Sequence, residues 1–152
     1  METILALIIG IGLSAACGFR VFVPLLGMSI AAHTGHLTLS SDFAWIASTP
    51  ALIAFGAATI LEIAAYYIPW LDNLMDTIAT PLAIIAGIIV TASVITDISP
   101  FLRWTLAVIA GGGVATVIQS GSVAVRAIST GTTAGTANPI VSSVENIASV
   151  IM

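Results

Sequence analysis

The sequence contains no lysine. Its basic residues are Arg20, Arg103 and Arg126, set against seven acidic ones, for a net charge of −4. So few basic groups cannot form a patch that neutralises phosphates, which excludes nucleic-acid binding. Charge of either sign is scarce, at 7% of residues where a soluble domain has roughly 25%. Hydrophobic residues make up 59% of the chain, and the mean hydropathy is +1.16. Such a chain cannot cover a water-facing surface with polar groups, so a bilayer is its natural solvent. The lone cysteine, Cys17, rules out an internal disulfide and carries no information on redox compartment. His33 and His36 have no further histidine or cysteine to complete a metal site, so they are expected in an exposed loop, with no metal or cofactor. The glycines Gly111, Gly112 and Gly113 are not followed by the Lys of a phosphate loop, and no nucleophile elbow, haem or iron–sulfur pattern is present. No enzyme is expected.

What is present is a series of long apolar runs. The start, Met-Glu-Thr, is acidic rather than basic, so the first run is expected to be a retained helix and not a signal peptide. It covers 4–31, long enough for a bilayer of about 30 Å. Gly10, Gly12, Ser14 and Gly18 make one side small, which allows close helix contact. Arg20 and Pro24 interrupt it, and a break is expected just before the proline. Residues 32–43 read as a polar loop. A second span over 44–69 has Pro50 in its first turn and Glu62 in its second half. Residues 70–77 read as a short amphipathic connector or a kinked continuation, with Tyr66, Tyr67 and Trp70 at headgroup level. A third span covers 78–96. Asp97, Ser99 and Pro100 end it, and Arg103 reads as an interfacial anchor paired with Asp97. The fourth run, 101–129, is expected to break like the first, and 130–137 reads as flexible or re-entrant. Asn138 is a plausible N-cap, with Pro139 opening a short last helix. The fold expected is an all-α, polytopic integral membrane protein. It is a single domain over 1–152 with four main hydrophobic helical runs, two of them broken, plus a short C-terminal helix. The likeness of the first and fourth runs suggests an internal repeat of two halves.

The ionisable residues inside these runs carry the functional expectations, because a charge within a membrane helix is costly without a partner. Glu62, Tyr66, Asn73 and Asp76 fall on one helical stripe, and Asp72 and Asp76 are one turn apart. Carboxylates so close repel unless a cation or an arginine sits between them. Two readings stay open for Glu62: a cation or proton site, or an internal partner of an arginine. Asp72 and Asp76 are read as solvated on a surface connector. Arg20 and Arg126 are read as pairing with Glu62 or Glu145, or as meeting an anionic headgroup or substrate.

Three stretches resemble one known family. They are Ser14-Ala-Ala-Cys-Gly-Phe-Arg-Val-Phe-Val-Pro-Leu-Leu26; Glu62 to Asp76 with its Ile-Pro-Trp-Leu-Asp centre; and Arg126-Ala-Ile-Ser-Thr-Gly-Thr-Thr followed by Ala-Asn-Pro-Ile-Val-Ser-Ser-Val-Glu145. In this order they resemble the bacterial membrane proteins grouped as domain of unknown function 4126, over nearly the whole chain. The resemblance implies a small multi-pass protein of the bacterial cytoplasmic membrane and implies no activity. The matched positions are Arg20, Pro24, Glu62, Pro69, Asp72, Asp76, Arg126, Asn138, Pro139 and Glu145. The chain departs from the family pattern at Tyr66-Tyr67, where an Asp-Lys pair is common, and in lacking a lysine before Arg126.

Two functions from different classes are expected. One is a transporter or channel for an ion or small polar solute, with Glu62 as the binding carboxylate and Arg20 and Arg126 as its charge partners. Glu145, Asp72, Asp76 and Asn138 are the further candidates for ion or substrate contact. The other is a structural or accessory subunit that binds membrane lipid or a larger membrane complex through its small-residue faces. A chain of 15.5 kDa has little room for a sealed pathway, so a homo-oligomer is expected.

Overall fold

The computed structural model describes residues 2–152, and among these there is no strand. Seven α-helices follow one another: α1 (Glu2–Phe19), α2 (Phe22–His33), α3 (Thr49–Ala65), α4 (Pro69–Val94), α5 (Pro100–Leu106), α6 (Gly113–Thr133) and α7 (Asn138–Ile151). A 3-10 helix, Ser41–Ala47, precedes α3, and a π-helical stretch, Ala107–Gly112, joins α5 to α6. The described helices include three that are long and apolar enough to cross a membrane: α1, α4 from Trp70, and the joined stretch Pro100–Thr133. The 3-10 helix and α3, bent by 63° at their junction, make a fourth if they count as one span. The all-α polytopic fold read from the sequence is therefore the fold observed.

Prolines set the helix starts. Pro50, Pro100 and Pro139 lie in first turns, where a missing N–H costs nothing. Ser48 and Ser99 cap α3 and α5, each accepting from a backbone N–H three residues on. α4 opens with Pro69 after Ile68 in extended conformation, as a residue before proline prefers.

Several boundaries differ from expectation. The first run breaks at Arg20–Val21 rather than directly before Pro24, which sits in the first turn of α2. The connector expected over 70–77 is helical: a turn over 66–68 links α3 to α4, which runs unbroken from Pro69 through Pro81 to Val94. The fourth run does not break. Its glycine stretch is absorbed by the wider π-turns, which keep the backbone bonded while shifting register. The helix then continues to Thr133, through part of the segment expected to be flexible. A turn with Ala134 at φ 53° and Gly135 at φ 82° ends it. Only one of the two runs behind the suggested repeat is thus broken.

The bundle centre is made by α1, α4, the π-helical stretch and α6. It is close-packed through small residues. Ser14 donates to the Gly111 carbonyl, and the Thr91 hydroxyl donates to the Gly10 carbonyl at 3.1 Å. At Gly87 a Cβ would lie 2.6 Å from Ser14 Oγ, 2.7 Å from Ala115 Cβ and 2.9 Å from the Gly111 carbonyl. Cys17, Met28, Ala83, Val90 and Ile95 fill the core beside this seam. α2 and α3 form a hairpin at the side.

Candidate functional site: a buried arginine–carboxylate cluster

The small side chains of the seam bring the helices together, and at one end of the bundle polar side chains replace them. α4 contributes Asp72 and Asp76, α6 contributes Ser122 and Arg126, and α7 contributes Asn138, Ser142 and Glu145, all buried. Arg20, at the break after α1, and Tyr66, at the end of α3, complete the group.

Arg126 is the hub. Its guanidinium reaches Asp72, Glu145 and, at 3.5 Å, Asp76. Arg20 donates to Glu145 Oε2 at 2.9 Å, Asn146 Oδ1 at 2.6 Å and the Ser142 carbonyl at 3.1 Å. Ser122 donates to the other Glu145 oxygen. Glu145 therefore ties two guanidiniums together, the arrangement in which a fixed fork of donors is best used. Tyr66 meets both of them in space: the Arg20 and Arg126 guanidinium carbons stand 4.1 and 4.0 Å from its ring centroid. Such contacts strengthen when water is excluded. Tyr66 is 3% exposed, so its ring faces the bundle interior and not the outside. Tyr67 stays at the surface, where its hydroxyl meets Ser143.

Asp72 and Asp76 need the larger correction. They are buried rather than solvated on a connector, at 0% and 9% exposure. The reason is the continuity of α4, which turns the stripe holding both carboxylates towards Arg126. Asn138 is the first residue of α7 and not its N-cap. Its amide donates instead to Asp72 Oδ2 at 2.6 Å and to Thr130 at 3.1 Å. Arg103 pairs with Asp42 at 2.5 Å, not with Asp97, because the 3-10 helix brings Asp42 and Ser40 against it. His33 and His36 are exposed as expected, and the described residues contain no group of three or more His, Cys, Asp or Glu able to hold a metal.

Glu62 makes no ion pair within 4 Å among the described residues. Its two oxygens accept from the backbone N–H groups of Val21 and Phe22, at 2.7 and 3.0 Å. It thus caps α2 from a different helix. The first N–H groups of a helix lack partners and carry partial positive charge, so a carboxylate there is doubly favoured. Of the two readings left open, neither gave this one: the positive group that Glu62 meets is a helix end, not a side chain. Arg20 and Arg126 pair with Glu145, as one expectation had it.

Counted formally, Asp72, Asp76 and Glu145 face Arg20 and Arg126, which leaves one negative charge in excess, and Glu62 adds a second buried carboxylate charge at the start of α2. The partners are unevenly shared. Both oxygens of Asp72, Glu145 and Glu62 are engaged. Among the described residues Asp76 has no ion-pair partner nearer than Arg126 at 3.5 Å, with the Tyr66 hydroxyl as its neutral neighbour. One turn deeper, Thr80 and Gln119 meet at 3.4 Å and extend the polar column along α4 and α6. The sequence placed Tyr66 on the stripe of Glu62 and Asp76 without making it a site residue, and Ser122 and Ser142 were not named as members of the cluster.

No curated protein and no solved structure matches the chain. A family model does, over residues 7–152, and by that match the chain belongs to the family described as domain of unknown function 4126.

Proposed function

We propose that this protein is a small membrane transporter or channel for a cation, and that Asp76 is the carboxylate the ion or proton exchanges with. The membrane is then the cytoplasmic membrane that the family resemblance implies. The observation that carries the reading is the excess of carboxylates over arginines in a buried cluster, with Asp76 the member left least partnered. Asp72 and Glu145 each have a guanidinium and further donors at close range. A buried carboxylate with one distant guanidinium gains from taking up a proton or cation. This moves the functional weight from Glu62 to Asp76. Glu62 has a local task in holding α2.

The test is flux in liposomes containing the purified protein. Sodium, potassium and proton movement are followed under an imposed gradient with ion-sensitive dyes. Asp76→Asn is expected to cut flux at least tenfold while circular dichroism and gel filtration stay unchanged. Flux through the parent protein no greater than in empty liposomes, for all three cations, would sink the proposal.

A further inference from the structure

Two apolar grooves open on the outside of the bundle, and each has a buried carboxylate among its lining residues. One, about 500 Å³, lies between α6 and α7 over Glu145 and Ser122. There the carboxylate is already held by two guanidiniums. The other, about 540 Å³, lies between α3 and α4, walled by Leu61, Ile68, Leu71 and Met75, with Glu62 among its lining residues. There the carboxylate has no side-chain cation within 4 Å among the described residues. The two grooves are alike in size and apolar character and differ in the charge beneath.

We infer that the α3–α4 groove is a binding site for an amphiphilic organic cation, an apolar body carrying an ammonium-type head, which reaches Glu62 sideways from the bilayer. Charge complementarity selects this occupant. Glu62 is among the lining residues, the cluster behind it has one further negative charge in excess, and the walls are apolar. A groove of this size holds a drug-sized molecule, for which the usual range is about 300–1,000 Å³. An anion would meet Glu62 head on, and a small hydrated ion would gain nothing from the walls. α3 is fitted to such a role, because it is braced chiefly by α2 and by the Glu62 cap and leaves a gap towards α4. The inference rests on the groove and not on ion flux.

The probe is tetraphenylphosphonium, with tetraphenylborate as a control of the same shape and opposite charge. Binding is measured by equilibrium dialysis against the purified protein in lipid nanodiscs, with empty nanodiscs subtracted. Saturable binding of about one phosphonium per chain is expected, and none of the borate. Glu62→Gln should weaken it at least tenfold. That variant also alters the α2 cap, so Ala58→Phe is made beside it. Ala58 lines the groove, and the added ring fills it while leaving the cap intact. It should also weaken binding at least tenfold. Equal binding of the borate, or phosphonium binding unchanged in Ala58→Phe, overturns the inference. Phosphonium binding without cation flux would remove the transport proposal and keep this one, and the reverse result would do the opposite.

Discussion

Replacing Arg126 by glutamine tests whether the cluster is held together by charge. In the folded protein this one guanidinium touches Asp72, Asp76 and Glu145. Arg20 stays bound to Glu145, but Asp72 keeps only Asn138, and Asp76 loses its one ion-pair partner. Removing one partner of a buried ion pair typically costs about 3–5 kcal/mol, because the other charge is left uncompensated. Glutamine keeps most of the volume and can donate one hydrogen bond, so the lower end of that range is expected. Asp72→Asn should cost less, since Arg126 keeps Glu145. The double variant then has neither charge of the pair. Its loss should fall short of the sum of the two singles by about 1–3 kcal/mol, the coupling seen between residues in one network. The assay is equilibrium unfolding in mixed micelles with increasing denaturing detergent, read by the fluorescence of Trp45, Trp70 and Trp104. Arg126→Gln within about 1 kcal/mol of the parent, or additive losses within about 0.5 kcal/mol, would refute a charge-held cluster.

Two further predictions concern the rest of the bundle. In an open helix position, Gly→Ala gains about 0.5–1 kcal/mol, and Gly27→Ala in α2, with nothing within 4 Å of the added methyl, should show a gain of that kind. Gly87→Ala should lose about 1–3 kcal/mol instead, because the methyl meets Ser14, Ala115 and the Gly111 carbonyl all within 3 Å; equal unfolding midpoints for the two variants would contradict the close seam. Cys17 is fully buried, so a maleimide should label it slowly in mild detergent and rapidly after denaturation; fast labelling in the folded state would show that the α1 face opens.

The spans and most helix starts were legible because their causes are local. Apolar length makes a span, and proline after serine makes a start, as at Ser48-Thr49-Pro50 and Ser99-Pro100. The charged cluster was only half legible. Arg20, Arg126 and Glu145 stood out because a charge in an apolar run demands a partner. Asp72 and Asp76 were misplaced because a polar stripe looks the same whether it faces water or other helices. What distinguishes them is that their stripe does not stop. Along α4 it continues as Asp72, Asp76, Thr80, Ala83, Gly87 and Thr91, polar then small, and small residues mark a helix-facing side. The partner of Glu62 was not legible at all. A helix end offers backbone N–H groups, which carry no side-chain signature and exist only once Arg20–Val21 has broken the first run.

The level of the cluster in the bundle bears on what it can do. Asp72 lies three residues after the start of α4, and Arg126 seven residues before the end of α6, which runs the other way. At 1.5 Å per residue these are about 5 and 10 Å from the same end of the two helices. The cluster is therefore close to one end of the bundle and far from the other. Towards the far end the bundle is closed by the seam, where Ser14 binds Gly111, Thr91 binds Gly10, and Gly87 admits no side chain. The way onward from the cluster is therefore tightly packed. If the proposed transport occurs, opening the seam is its costly step, and the energy must come from the occupant's own contacts. A ligand shifts such an equilibrium only by as much as it binds one state better than the other. Asp76 sits between the engaged carboxylates and the start of that seam, one turn before Thr80 and Gln119. Neutralising it changes the charge where the polar column meets the packed one, which is the place where the cation of the proposed transport would act.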